Sequence, residues 1–246
     1  MKVKNHSSDR KRSRPVTKRK KTDFLIENKI AAALIIVIII IAVVTGIYLI
    51  YTENNKNNDV ANEGNPLAVI ETSMGTIKVE LYNDKVPNTC ENFIKLADDN
   101  FFDGLVFHRV ANLDNGATDT HVIQGGGFNP AGNQKESIYG EIGLEIDDTL
   151  THVDGAIAMA RTTDPNSATS QFYICDGEHH FLDDSYRITN YDERGYAVFG
   201  KVTEGMNVVR EIANVETGIK TLPTGQQMQN WPTEDVTINS IIIENN

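Results

Sequence analysis

The sequence predicts a mainly β globular domain, a barrel or a sandwich, preceded by one transmembrane helix. Three observations carry this expectation. Short β-type runs bounded by Gly, Asp, Asn and Ser recur between residues 67 and 244. Only two segments in that span repeat apolar residues with a helical period. Residues 30–52, IAAALIIVIIIIAVVTGIYLIYT, carry no charge. Many short strands with few helices point away from a parallel α/β sheet, but periodicity leaves barrel and sandwich both open.

The chain begins with a basic tail. Residues 1–29 hold eleven Lys/Arg and three Asp/Glu, a net charge of +8, whereas the remainder holds twelve against thirty-one, a net of −19. The apolar stretch 30–52 makes about 34 Å of helix against a hydrocarbon core of roughly 30 Å. Lys and Arg precede it and ENNKNND follows, so the positive-inside bias puts the N-terminus in the cytoplasm and the bulk of the chain outside it. A cleaved secretory signal is the competing reading. It calls for a shorter apolar core and a small-residue cleavage site, whereas this run ends TGIYLIYTENN, and we expect an uncleaved signal anchor. The basic run then serves topology and attraction to anionic lipid rather than nucleic acid. Residues 53–66, ENNKNNDVANEGNP, read as a flexible linker, and 67–246 as one globular domain large enough to bury a core.

Within that domain LAVIET and TIKVEL flank Ser73-Met74-Gly75 as a hairpin. VPNTCENFIKLADDN reads as a helix, with Pro87 at its first position and Cys90, Phe93, Ile94 and Ala97 on one face. GLVFHRV, HVIQG, DGAIAMA, SQFYIC and YAVFGKV are strand candidates, EGMNVVREIANV is the second helix, and DVTINSIIIE closes the chain as a strand. Cys90 and Cys175 sit in apolar contexts and read as buried thiols, with a single disulfide outside the cell as the alternative. No CxxC, His/Cys cluster or calcium-loop motif implies a metal, and His179-His180 beside Asp183-Asp184 reads as a solvated loop. The acidic domain has no basic groove suited to nucleic acid.

Three segments stand together in order: FHRV with the later VIQGGGF, then GAIAMARTTDPNSATSQFYIC, then FLDD with YAVFGKVTEGMNVV. Their order and wording resemble the cyclophilin family of peptidyl-prolyl cis–trans isomerases, over roughly residues 67–244. The resemblance implies a closed eight-stranded antiparallel barrel with a helix capping each end, its interior filled by side chains and its substrate groove on the outer surface. It implies Arg109 as the catalytic arginine and Gln124 and Gln171 as groove glutamines. Ala160 and Arg161 would bind peptide backbone. Val122, Tyr173 and Leu182 would wall the proline pocket, with His121 where a Phe is usual, Phe181 where a Trp is usual and Tyr196 where many relatives have His. Two departures concern shape. Arg109 and Gln124 are fifteen residues apart, further than usual for the family, so ANLDNGATDT must loop out, and DDSYRITNYDERG is inserted after Leu182.

The implied activity is rotation about X–Pro peptide bonds without a cofactor, in proline-containing unfolded or nascent secreted polypeptides. The alternative on the same scaffold is a proline-binding chaperone module with little or no catalysis. With Phe181 in place of Trp, cyclosporin-type inhibitors are expected to bind weakly.

Overall fold

The computed structural model describes residues 43–46, 64–113, 120–191 and 193–244. The chain forms two units, Met1–Asn62 and Glu63–Asn246. Of the first, residues 43–46 are helical. The rest of the expected transmembrane helix, the basic tail and most of the linker lie outside the described residues. Among the described residues no helix is long and apolar enough to cross a membrane.

The second unit follows the predicted order. Strands β1 (Leu67–Thr72) and β2 (Gly75–Leu81) pair antiparallel from Leu67 opposite Glu80 to Thr72 opposite Gly75, so Ser73 and Met74 make the turn. Helix α1 (Pro87–Asp98) comes next, then β3 (Arg109–Ala111), β4 (His121–Gly125), β5 (Ala156–Met159) and β6 (Phe172–Asp176). A 3-10 turn (His180–Leu182), helix α2 (Asp184–Tyr191), β7 (Val198–Glu204) and helix α3 (Met206–Ala213) lead to β8 (Thr217–Thr221), β9 (Gln227–Pro232) and β10 (Ile238–Glu244). The 3-10 turn, helix α2 and the β8–β9 hairpin were not foreseen. Helix α2 lies in the DDSYRITNYDERG insert and buries none of its residues, and the strands of the β8–β9 hairpin bury only Trp231 and Pro232, so neither carries the apolar period that marks a packed element.

Eight strands form one antiparallel sheet in the order β10-β1-β2-β7-β5-β6-β4-β3. The expected closed barrel is corrected to a curled half-barrel: β3 and β10 end the ladder and do not pair with each other. With three residues, β3 is too short to carry a second ladder. The segments just before each edge strand meet instead, through a bridge between Val106 and Thr237 and backbone bonds from Phe107 N to Val236 O (2.9 Å) and Ile238 N to Leu105 O (2.7 Å).

The concave side holds the main core, which includes Ile70, Ile77, Val79, Phe107, Ile123, Ile157, Phe172, Ile174 and Phe199. Helix α1 inserts Phe93 into it, edge-on to Phe172 at 5.4 Å between ring centres, and α3 buries Val208, Val209, Ile212 and Ala213. The start of α1 is held from a distance. Pro87 needs no acceptor, and Val86 at the N-cap offers none. Glu145 supplies both carboxylate oxygens instead, accepting from Asn88 Nδ2 (2.8 Å), Thr89 N (2.9 Å) and Thr89 Oγ1 (3.0 Å). Glu145→Ala is expected to lower stability by about 1 kcal/mol, as loss of a helix cap does, read as a shift in the urea midpoint.

Candidate active site

Strand alternation answers why a guanidinium sits beside apolar core. On β3 and β4, Val110 and Ile123 face each other inward, while the pairs Arg109–Gln124 and Ala111–Val122 point outward. On β6, Phe172 and Ile174 go inward and Tyr173 and Cys175 outward, and on β5 Ile157 goes inward and Ala156 and Ala158 outward. The outer face thus carries a second apolar cluster of Val122, Ala156, Ala158, Tyr173, Cys175, Leu182 and Val198. Above it opens a cavity of about 280 Å³.

Arg109, Val122, Gln124, Ala160, Arg161, Tyr173, Phe181, Leu182 and Tyr196 line this cavity, together with Leu113, which sequence reasoning did not single out. Gln171 and His121 do not line it. Gln171 lies in an adjoining cleft with Gln124, Gln134, Glu136 and Glu141. His121 shares the parity of Ile123 rather than that of Val122 and Gln124, so its register turns it from the cavity. Its carbonyl oxygen lies 3.0 Å from His179 Nε2.

A polar line crosses the cavity rim. Arg109 Nη1 donates to Gln124 Oε1 at 3.3 Å, and Gln124 Nε2 donates to Gln171 Oε1 at 3.1 Å. The cation therefore orients both amides. Burial pushes the Arg109 guanidinium down from its usual value, and the nearby Tyr196 opposes this in part. Among the described residues no carboxylate pairs with it. The glycine run beneath is set by space. Gly126 has φ +83°, and a Cβ on Gly127 would stand 2.6 Å from Gln171 Cγ.

The opposite wall comes from the 3-10 turn, which carries Phe181 and Leu182, and from the insert. Arg161 lies over the Tyr196 ring, 4.5 Å from its centre, and donates to Gly195 O at 3.0 and 3.1 Å and to Arg194 O. Asp184 in turn accepts from Arg194 Nε (2.8 Å) and Gly195 N (2.7 Å). The insert is thereby folded back against Arg161 rather than across the cavity.

The solvated-loop reading of His179 and Asp183 is overturned. His179 is fully buried, and Asp183 is buried against His152. Asp183 Oδ1 lies 2.6 Å from His152 Nδ1 and accepts from His152 N at 2.8 Å, and its Oδ2 lies 2.9 Å from His180 Nδ1. His152 Nε2 lies 2.8 Å from the Tyr173 hydroxyl. His152 stood out in no motif, since a lone histidine in THVDG has no spacing that marks it.

His108 is fully buried between Phe128 and Trp231, with ring centres 4.8 and 5.8 Å away. Neither ring nitrogen makes a well-formed hydrogen bond among the described residues. Burial pushes its pKa down from 6.5 to about 4, with the Val106 backbone and Gln171 opposing and Arg109 adding to the shift. Above pH 6.5 the ring is neutral in folded and unfolded chains alike, and below it the unfolded chain takes the proton first. Stability is therefore expected to fall as pH drops from 6.5 toward 4, by on the order of 3 kcal/mol for the whole shift. Urea unfolding at pH 7, 6 and 5 measures it, and His108→Leu should reduce the slope.

Both cysteines are free and buried. Burial lifts the Cys90 thiol to about 12 and raises that of Cys175 further. Among the described residues no group of three or more His, Cys, Asp or Glu is arranged to hold a metal.

Comparison with known proteins gives this geometry a family. Residues 67–243 match the family described as cyclophilin type peptidyl-prolyl cis-trans isomerase/CLD. A peptidyl-prolyl cis-trans isomerase of Acinetobacter baylyi is 40% identical over 181 residues, covering 73% of this chain and 86% of the relative. Peptidyl-prolyl cis-trans isomerase B of Escherichia coli is 36% identical over 177 residues, covering 72% and 99%. The crystal structure of a Cryptosporidium parvum cyclophilin type isomerase superposes with TM-score 0.58 at 25% identity, covering 74% of this chain and 98% of that one. The same protein has been solved in the presence of the dipeptide Ala-Pro, matching with TM-score 0.58 at 26% identity. The curled antiparallel sheet, the outward arginine–glutamine pair and the match over almost the whole second unit lead to one conclusion: the chain belongs to the cyclophilin-type peptidyl-prolyl cis–trans isomerases.

Proposed function

We propose that this isomerase turns X–Pro bonds in polypeptides emerging on the outer side of a membrane, with Arg109 as its catalytic residue. An X–Pro bond prefers trans by only about 0.5–1 kcal/mol, but a barrier of about 18–20 kcal/mol separates the isomers. No nucleophile or general base is needed. The site must hold a twisted amide better than either planar one. At the twist the prolyl nitrogen loses conjugation and gains a lone pair. A fixed Arg109 N–H can then donate to it, while the planar nitrogen accepts poorly. Val122, Tyr173 and Leu182 grip the pyrrolidine ring, Gln124 holds the swinging side, and Ala160 with Arg161 aligns the flanking backbone.

The observation that carries the reading is the in-register pair Arg109–Gln124 above an apolar cavity, with the guanidinium free of any described carboxylate. The Ala-Pro dipeptide present with the Cryptosporidium relative supports proline peptides as ligands. NMR exchange between cis and trans forms of an Ala-Pro peptide, with the full chain in detergent, tests it. Acceleration over the peptide alone is expected. Binding without acceleration would leave a proline-binding module.

The uncharged stretch 30–52 behind eleven basic residues supports a single-pass anchor with a cytoplasmic N-terminus and an outward domain serving secreted or surface proteins. Protease added to intact cells should remove the domain. Degradation only after lysis would put it inside.

A further inference from the structure

Below the cavity runs a line of side chains that ordinary proline binding does not require. The Tyr173 ring is 5% exposed, so its hydroxyl has little access to water, and an unmade bond there would be costly. His152, 1% exposed, meets that hydroxyl with Nε2 at 2.8 Å. One carboxylate oxygen of Asp183 takes both the His152 ring nitrogen Nδ1 and the His152 backbone N–H, which locks the ring in position and orientation. Asp183 directly follows Phe181 and Leu182, so the floor and one wall of the cavity are joined through a single imidazole.

Burial raises the Asp183 carboxyl, but bonds from the His152 ring, the His152 backbone and His180 outweigh it and keep the group ionised. Nδ1 therefore carries the proton toward Asp183, and Nε2 keeps a lone pair for the Tyr173 O–H. Burial also holds His152 neutral, with Asp183 opposing and His179 and His180 reinforcing. Those three groups, with Tyr173, are the titratable side chains facing His152, and Cys175 and Tyr196 lie beside Tyr173 on its other sides.

We propose that His152 is a positioning residue: it holds the Tyr173 ring at a fixed height under the prolyl group, and its protonation loosens that floor and weakens binding of proline peptides in acid. Protonated Nε2–H must donate to the phenol oxygen, so the phenol proton loses its acceptor and has only the cavity to turn to. The loss falls on binding of planar and twisted amides alike, so it moves KM rather than kcat. This inference rests on the isomerase reading.

The test uses the full chain in detergent with an Ala-Pro peptide. Kd by titration and kcat and KM by exchange are measured from pH 8 to 5. In the wild type, KM and Kd should rise together as the pH is lowered, by about three- to tenfold once the imidazole is protonated, with kcat within about twofold. His152→Gln should raise KM at pH 7 and flatten the profile, whereas His180→Gln should keep it. A profile unchanged in His152→Gln, or one that disappears in His180→Gln, overturns the proposal. Should His152→Gln fail to fold, nitrogen-15 shifts of the wild-type imidazole decide alone. The Nδ1–H tautomer at pH 7 supports it, and the Nε2–H tautomer refutes it. If no exchange is catalysed at any pH, the isomerase reading has failed, yet the Kd profile and the tautomer still report on His152.

Discussion

Arg109→Ala is expected to lower kcat/KM for an Ala-Pro peptide by about 10²–10³, the usual loss when one preorganised donor to a transition state is removed. The unfolding free energy should change by less than about 1 kcal/mol, because Arg109 is half-buried on the outer face and its described partner, Gln124, stays bonded to Gln171. Arg109→Lys separates charge from geometry. Lysine keeps the positive charge but cannot both donate to Gln124 and present a second, rigidly placed N–H to the substrate. It should recover no more than about a tenth of the activity. Exchange NMR on both variants, with circular dichroism to verify folding, measures this. Parent-like rates in a folded Arg109→Ala protein would remove the guanidinium from the mechanism and shift the work to the two glutamines.

Phe172→Ala is expected to cost about 3–5 kcal/mol, enough to unfold much of a marginally stable domain. Phe172 is fully buried, and its ring meets Phe93 at 5.4 Å, Phe102 at 5.7 Å and Phe107 at 6.1 Å, each near perpendicular. It ties α1 to the strand whose next residue, Tyr173, floors the cavity. The void left would be lined on three sides by rings, one of which, Phe93, is fixed to α1. Phe172→Leu, closer in volume, should cost clearly less. Urea unfolding of both variants measures it. A loss below about 1 kcal/mol for Phe172→Ala would mean that the aromatic cluster repacks freely.

Elements with a strong apolar period were legible in the sequence. Helix α1 shows Cys90, Phe93 and Ala97 on its buried face as read, and the β1–β2 turn falls at Ser73-Met74. Elements that bury little were not. Helix α2 hides none of its residues, and the β8–β9 hairpin rests its weight on Trp231 and Leu222, which seal Val106 and Phe128. The same limit governed the site. Arg109, Gln124 and the apolar walls stand in recognisable motifs, whereas Leu113 and His152 stand in none: only the fold brings Leu113 to the cavity and sets His152 against Tyr173 beneath it.

By itself the sequence determined the strand alternation, and with it which side chains face out: a two-residue period leaves Arg109, Val122, Gln124 and Tyr173 no choice once their neighbours are core. Tertiary structure alone decided register and partners. It set Arg109 opposite Gln124 across a fifteen-residue separation, left the barrel seam to a short bridge, and packed His152 between Tyr173 and Asp183. Period is a local property of the chain. Register and burial depend on how distant segments share space, and no short stretch of residues encodes that.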